Sequence, residues 1–168
     1  MNAAVIARIN DQIKHELYSG YVYLSMATHF DHQNLPGFAN WMRLQFQEEL
    51  AHAMRLVDYA NRRGGRVQLQ AIDQPPVDWG TPIEVFQAAL AHEQQVTRLI
   101  HELYALAGEH ADVATQQELH WFIQEQVEEE DAAGAAVDSL TMAGDDSAAL
   151  LMLDREFAQR MPEAPEGE

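Results

Sequence analysis

The sequence predicts an all-α fold: a four-helix bundle with a long crossover between the second and third helices and a short fifth helix near the C-terminal end. Three observations carry this expectation. Apolar residues recur at alternating steps of three and four along four long stretches, the period of a helix with one buried face. Every proline falls at an end of such a stretch or outside it. One connection, residues 64–80, lacks helical periodicity and is long enough to cross the length of a bundle, whereas the others are short.

The first helix is expected from about Val5 to His32, with the stripe Ile6, Ile9, Ile13, Glu16, Gly20, Tyr23, Ala27 and Phe30. Glu16 sits inside that stripe, where a carboxylate is costly to bury unless something compensates its charge. Gln33 to Gly37 form a short turn that favours an antiparallel neighbour. The second helix follows from Pro36 to Arg63 along Phe38, Met42, Gln45, Glu49, His52, Leu56 and Tyr59, and Gly64-Gly65 ends it. Pro75-Pro76 precludes a continuing helix, and a crossover of this length joins parallel helices.

Thr81-Pro82, followed by Glu84, is a capping-box arrangement that starts the third helix, expected from Pro82 to Ala107. Its stripe runs Phe86, Ala89, Glu93, Val96, Ile100, Leu103, Ala107, and Glu93 interrupts it as Glu16 interrupts the first. A turn after Gly108 leads to the fourth helix, Asp112 to Met142, with the stripe Thr115, Leu119, Phe122, Gln126, Glu129, Ala133, Ala136 and Leu140. Gly144-Asp145-Asp146 breaks the chain. Ser147 to Arg160 reads as a fifth helix with apolar Leu150, Leu151, Leu153 and Phe157, and the Pro- and Glu-rich tail Met161 to Glu168 is expected to be disordered.

A length of 168 residues suits a single domain with one core. With no cysteine, disulfides, thiolate metal sites and Cys nucleophiles are excluded. Met1 to Asn10 carries one basic residue and no long apolar run, and no window approaches a membrane span, so a cytoplasmic location is expected. The balance of 27 acidic against 10 basic residues, with Lys14 the single lysine, argues against nucleic acid or an anionic membrane as partner. Cations are the natural ligand class, although solubility or a salty cytoplasm would favour the same composition.

The chemistry-bearing pattern is Glu49-x-x-His52, a carboxylate and an imidazole one turn apart on one helix face. Alone it is a weak signal. It gains weight from an offset of 77 residues: Glu16, Glu48, Glu49 and His52 correspond to Glu93, Glu125, Gln126 and Glu129 (16 to 93, 48 to 125, 49 to 126, 52 to 129). Six inward groups therefore converge: Glu16, Glu49, His52, Glu93, Gln126 and Glu129. A buried polar network without metal is the plainer alternative. Charge decides against it, because four packed carboxylates repel one another whereas two divalent cations neutralise them. Oxygen-rich ligation with one imidazole suits iron or manganese better than zinc.

Glu16-Leu17-Tyr18-Ser19, Glu48 to His52, His92-Glu93-Gln94 and Glu125 to Glu130 resemble the motifs of the bacterial non-haem ferritins, and the resemblance covers about Val5 to Arg160. It implies the ferritin-like bundle. It implies that Glu16 and His52 hold one iron and Glu93 and Glu129 the other, with Glu49 bridging and Gln126 beside the oxygen-binding side. Tyr23 looks like the family's electron-donating tyrosine, a reading compatible with a core aromatic whose hydroxyl is hydrogen-bonded. Glu48, Glu125 and Glu128 look like the extra carboxylates of a third iron site; without the resemblance they read as a solvated acidic face. The implied function is iron storage with ferroxidase activity. Fe(II) is oxidised by oxygen or hydrogen peroxide at the di-iron centre and stored in a hollow homo-oligomeric shell of twenty-four subunits.

Departures narrow the branch. Bacterioferritins resemble this pattern but carry a second Glu-x-x-His where this chain has Gln126-x-x-Glu129, and a haem-ligating methionine where it has Leu50, so no haem is expected. Mini-ferritins lack the fifth helix, and rubrerythrins need cysteines. His15, His29, His32, His92, His101, His110 and His120 lie off the shared stripe and are mostly expected at the surface. Trp121 neighbours the metal register, where shielding of oxidising species and simple packing both fit. The rival functions are a bundle oxidase acting on an organic substrate and a metal buffer without redox turnover.

Overall fold

The computed structural model describes residues 1–162, and these form five α-helices and no strand. They are α1 (Ala3–His32), α2 (Pro36–Arg62), α3 (Pro82–Glu109), α4 (Val113–Ala143) and α5 (Ser147–Phe157). The ends differ from expectation by a few residues, where caps decide them. Asn2 accepts a hydrogen bond from the Ala4 amide at 2.7 Å, so α1 starts before Val5. Asp112 accepts from the Thr115 amide at 3.1 Å and is therefore the cap of α4, not its first residue. Thr81 and Glu84 form the capping box of α3. The last helix stops at Phe157, short of Arg160. In the tail, Met161 and Pro162 are exposed and non-helical, and residues 163–168 lie outside the described residues.

Side-chain pairs along the helices fix their directions. Tyr23 meets Glu93 and Arg8 meets Glu102, so α1 and α3 are antiparallel. Gln45 meets Glu129 and Tyr59 meets Thr115, so α2 and α4 are antiparallel. Asp31 meets Arg43 across the short turn between α1 and α2. It follows that α2 and α3 run the same way, as the long crossover requires. That crossover lies along α1. Asn10 donates to the Arg66 carbonyl and accepts from the Gln68 amide, and further along Ser25 Oγ donates to the Pro76 carbonyl at 2.6 Å.

The fifth helix docks through Leu150, Leu153 and Phe157, which pack on the bundle's apolar cluster, and through one buried acid. Its single buried residue is Asp154, whose Oδ1 accepts from the amides of Gly37 (2.8 Å) and Phe38 (2.9 Å), capping the start of α2. A Cβ on Gly37 would stand 1.5 Å from the Asp154 carbonyl oxygen, so only glycine permits this approach. Leu151, expected on the apolar face, is instead 51% exposed.

Two apolar clusters fill the bundle. One contains Phe30, Phe38, Trp41, Met42, Phe86 and Leu140; the other contains Ile9, Ile13, Leu56, Ile100, Leu119 and Phe122. Between them lies a polar waist, and the residues that interrupt the apolar stripes all fall there.

Candidate metal centre

Each long helix delivers its polar residue to the waist because that residue takes a core position in an otherwise apolar stripe. Glu16 from α1, Glu49 and His52 from α2, Glu93 from α3, and Gln126 and Glu129 from α4 are all buried. Tyr23 is fully buried one face-repeat beyond Glu16. Of the flanking acids, Glu48 and Glu125 are half-buried and Glu128 is exposed.

Glu16, Glu49 and His52 form the tightest group, with one ligand-capable atom of each within 4.8 Å of the other two. Glu16 Oε1 accepts from Gln12 Nε2 at 2.9 Å. The Oε2 atoms of Glu16 and Glu49 are buried with no amide, hydroxyl or guanidinium donor, so between them the two carboxyls can share only a proton. Buried oxygens without donors are rare because each forfeits its hydration. His52 Nδ1 lies 3.8 Å from Glu49 Oε2, and its Nε2 lies 3.9 Å from Glu125 Oε2.

The acids of the other half are differently placed. Glu93 accepts from the Tyr23 hydroxyl and, at 3.2 Å, from Gln126 Nε2. Glu129 accepts from Gln45 Nε2.

Burial shifts all these groups toward neutrality. It raises Glu16, and it raises Glu49 well above the ordinary carboxyl range with help from nearby Glu93, Glu16 and Glu129. Glu93 is pushed up to about 7 by burial, against the opposing hydrogen bonds from Tyr23 and Gln126. Glu129 rises well above its ordinary value through burial and the neighbouring Glu93 and Glu48. His52 is lowered to about 4 by burial and then by Arg55, so its ring is neutral and carries a free lone pair at neutral pH. Burial thus favours the neutral forms of the waist acids and of the His52 ring, groups that can exchange protons for cations.

The side acids gather as well. Glu48, Glu125, Glu128 and Glu129, with Ala132, surround a small pocket whose remaining wall is Arg160. Arg160 Nη2 donates to both oxygens of Glu48, at 3.3 and 3.4 Å, and Nη1 donates to Gln45 Oε1.

Several of these residues escaped the sequence reading. Gln45 stood on the α2 stripe with the metal-type residues but read as core, and Gln12 lies one turn before Glu16, just off the stripe. Arg160 had no sequence signal, because only the return of α5 over α2 brings it near Glu48. His92, off the shared stripe but next to Glu93 in sequence, is half-buried; it hydrogen-bonds Ser19 Oγ at 2.7 Å, and burial lowers it to about 4. Trp121 stands edge-on to His52, centroids 5.3 Å apart, with Arg55 3.9 Å over its ring.

A bundle of two helix pairs with carboxylates and an imidazole converging at its waist is the architecture of ferritin-like proteins. The sequence matches the ferritin family, described as the ferritin-like domain, over residues 6–143, and the chain belongs to that family. It is 43% identical over 152 residues to the bacterial non-heme ferritin of Bacteroides fragilis (strain 638R), covering 90% of this chain and 94% of that one. To the bacterial non-heme ferritin of Staphylococcus aureus (strain USA300) it is 36% identical over 156 residues, covering 93% and 94%. Among solved structures it superposes with TM-score 0.95 and 46% identity on an open pore ferritin from the hyperthermophilic archaeon Archaeoglobus fulgidus, covering 96% of this chain and 99% of that one. An engineered closed form of the same archaeal ferritin gives TM-score 0.95 at 46% identity, covering 96% and 98%.

Proposed function

We propose that the protein is an iron-storage ferritin with ferroxidase activity, like the non-heme ferritins it is similar to. The observation that carries this is the donorless pair Glu16 Oε2 and Glu49 Oε2 beside the neutral ring of His52. Together with Glu93 and Glu129, four acids await positive charge at a site sealed between two apolar clusters. Two Fe(II) ions are the substrate that matches this demand. Glu16 and His52 take one ion, Glu93 and Glu129 take the other, and Glu49 serves both. The acids release their protons as the ions enter, so the site stays close to neutral.

Oxidation removes one electron from each Fe(II). Dioxygen accepts both electrons with two protons and leaves as hydrogen peroxide; where peroxide is the oxidant, it accepts them with two protons and leaves as water. Tyr23, whose hydroxyl is held on Glu93 and whose acidity is suppressed first by burial and then by Glu93, remains a protonated phenol poised beside the site as an electron reserve. Gln126 faces the Glu93 side. Fe(III) then passes to the interior of a homo-oligomeric shell, the twenty-four-subunit assembly the resemblance implies. Glu48, Glu125 and Glu128 would take a third ion next to the pair.

A cytoplasmic location goes with the ferritin reading; no helix among the described residues is long and apolar enough to cross a membrane, and the surplus of acid disfavours nucleic acid. Leu50, 37% exposed, stands where haem-binding relatives have methionine, so protein from haem-replete cells should show no Soret band.

Size-exclusion chromatography followed by aerobic Fe(II) addition, monitored in the near ultraviolet, tests the function. A very large particle and rapid ferric signal are expected. A monomer or dimer that oxidises iron only at the buffer rate would contradict it.

A further inference from the structure

We propose that Arg160 is a tethered cation that guards the side pocket of Glu48, Glu125, Glu128 and Glu129, holding it against divalent ions until one displaces the guanidinium. The proposal rests on the ferritin reading above.

The pocket has room for about one water-sized occupant, at about 20 Å³. Its polar walls are four carboxyls and one guanidinium. Arg160 spans both oxygens of Glu48, so the positive charge already sits where an entering cation would bind. The arm is anchored from behind, with its guanidinium carbon 4.8 Å from the centre of the Trp41 ring and its carbonyl accepting from Asn40 Nδ2 at 3.2 Å. It stands just beyond the last turn of α5, whose helix ends at Phe157, so the side chain can withdraw without unwinding a long helix. A second contact ties the guard to the inner pair. Arg160 donates to Gln45, which in turn donates to Glu129, so an ion that expels the arginine also loosens a donor from an inner acid.

Other charged groups do not supply this cation. Arg55 is paired with Glu118 at 2.8 Å and lies over Trp121, and Arg43 is paired with Asp31. Lys and Arg differ in how they occupy such a place: both bring the charge, but only arginine's fork can hold Glu48 and Gln45 together. This separates a guard acting by charge from a strut acting by shape.

The test is equilibrium titration of the iron-free assembled protein with Zn(II), a redox-inert divalent probe, by calorimetry. Wild type is expected to take two ions tightly and a third more weakly. Arg160→Gln should tighten the third by roughly fivefold, the scale of a partly exposed ion pair, and leave the first ion, held by Glu16 and His52, unchanged. Arg160→Lys should keep the third near its wild-type affinity. Arg155→Gln, which removes the same charge from the exposed side of α5, should change nothing. A third-ion affinity that is unchanged or weakened in Arg160→Gln, or that rises equally in Arg160→Lys, would overturn the guard. So would absence of a third ion from both wild type and Arg160→Gln, although two inner ions would then leave the ferritin reading standing; loss of the inner ions in wild type would remove that reading too.

Discussion

The two halves of the bundle carry the same pattern 77 residues apart (16 to 93, 49 to 126, 52 to 129), yet their acids are treated differently. In the first half, Glu16 and Glu49 each keep a buried oxygen that no amide, hydroxyl or guanidinium reaches, and His52 stands beside them as a neutral ring. In the second, Glu93 is held by Tyr23 and Gln126, and Glu129 by Gln45. A buried carboxyl without a donor gains its full compensation from a cation, whereas one already hydrogen-bonded must give something up. The repeat therefore makes two unequal places, and the first half should fill first.

The largest expected effect breaks both halves at once. On the proposed assignment Glu49→Ala removes the one acid shared by the two ions, and it should slow the initial oxidation by about 100-fold or more, measured by stopped flow with two Fe(II) per subunit. A variant that keeps the fast phase would mean that Glu49 does not bridge the halves.

Next is pH, which tests the acids without iron. Glu93 has its folded value near 7, above the ordinary 4.5, so its contribution to stability is fully present below about 4.5 and is lost as pH rises through 7. For Glu93 alone this is on the order of 3 kcal/mol, and Glu16, Glu49 and Glu129 are shifted in the same direction. His52 works oppositely: its folded value near 4 costs stability as pH falls below 6.5. The melting temperature of the iron-free protein should therefore fall between pH 6.5 and 8, and saturating Zn(II) should cancel the fall. A melting temperature that climbs over this interval would show the waist acids already ionised.

Gln45→Met sharpens the contrast by stripping the donor from Glu129. With the second half made more like the first, the second Fe(II) should bind about fivefold tighter in an anaerobic titration, the worth of roughly one hydrogen bond. Weaker binding would mean that Gln45 positions Glu129 instead of competing for it.

The smallest effects belong to the side acids. Glu48 and Glu49 are sequence neighbours about 100° apart on the helix, so one can face the waist while the other faces aside. Glu48→Ala and Glu128→Ala should leave the first oxidation fast and change only the Fe(II) to oxygen ratio and the rate after a second addition. Loss of the first phase in either would erase the division between inner and side carboxylates.

The reasons that the fold could be read from the sequence are local. Every residue of the fourth stripe, from Thr115 to Leu140, is buried, as is every residue of the second and third, because helical spacing alone decides which positions share a face. Ile6, at the start of the first stripe, is only half-buried because the buried face there runs through Val5, four residues before Ile9, and not through Ile6. The inward acids were legible for the same reason: a carboxylate on an apolar stripe has nowhere else to point. What could not be read was tertiary. Asp154 reads as an ordinary surface acid of α5, and only the contact with Gly37 makes it a cap for α2. Arg160 and Gln45 acquire their partners from helices distant in sequence, and no periodicity records such a meeting.

The central claim is that the waist holds two Fe(II) ions and that its halves fill in order. Anomalous diffraction at the iron edge, from crystals soaked anaerobically with increasing Fe(II), tests it most directly. A first peak among Glu16, Glu49 and His52 is expected at low iron and a second among Glu49, Glu93 and Glu129 at higher iron. Iron bound only outside the bundle, or a first peak on the Glu93 side, would contradict it.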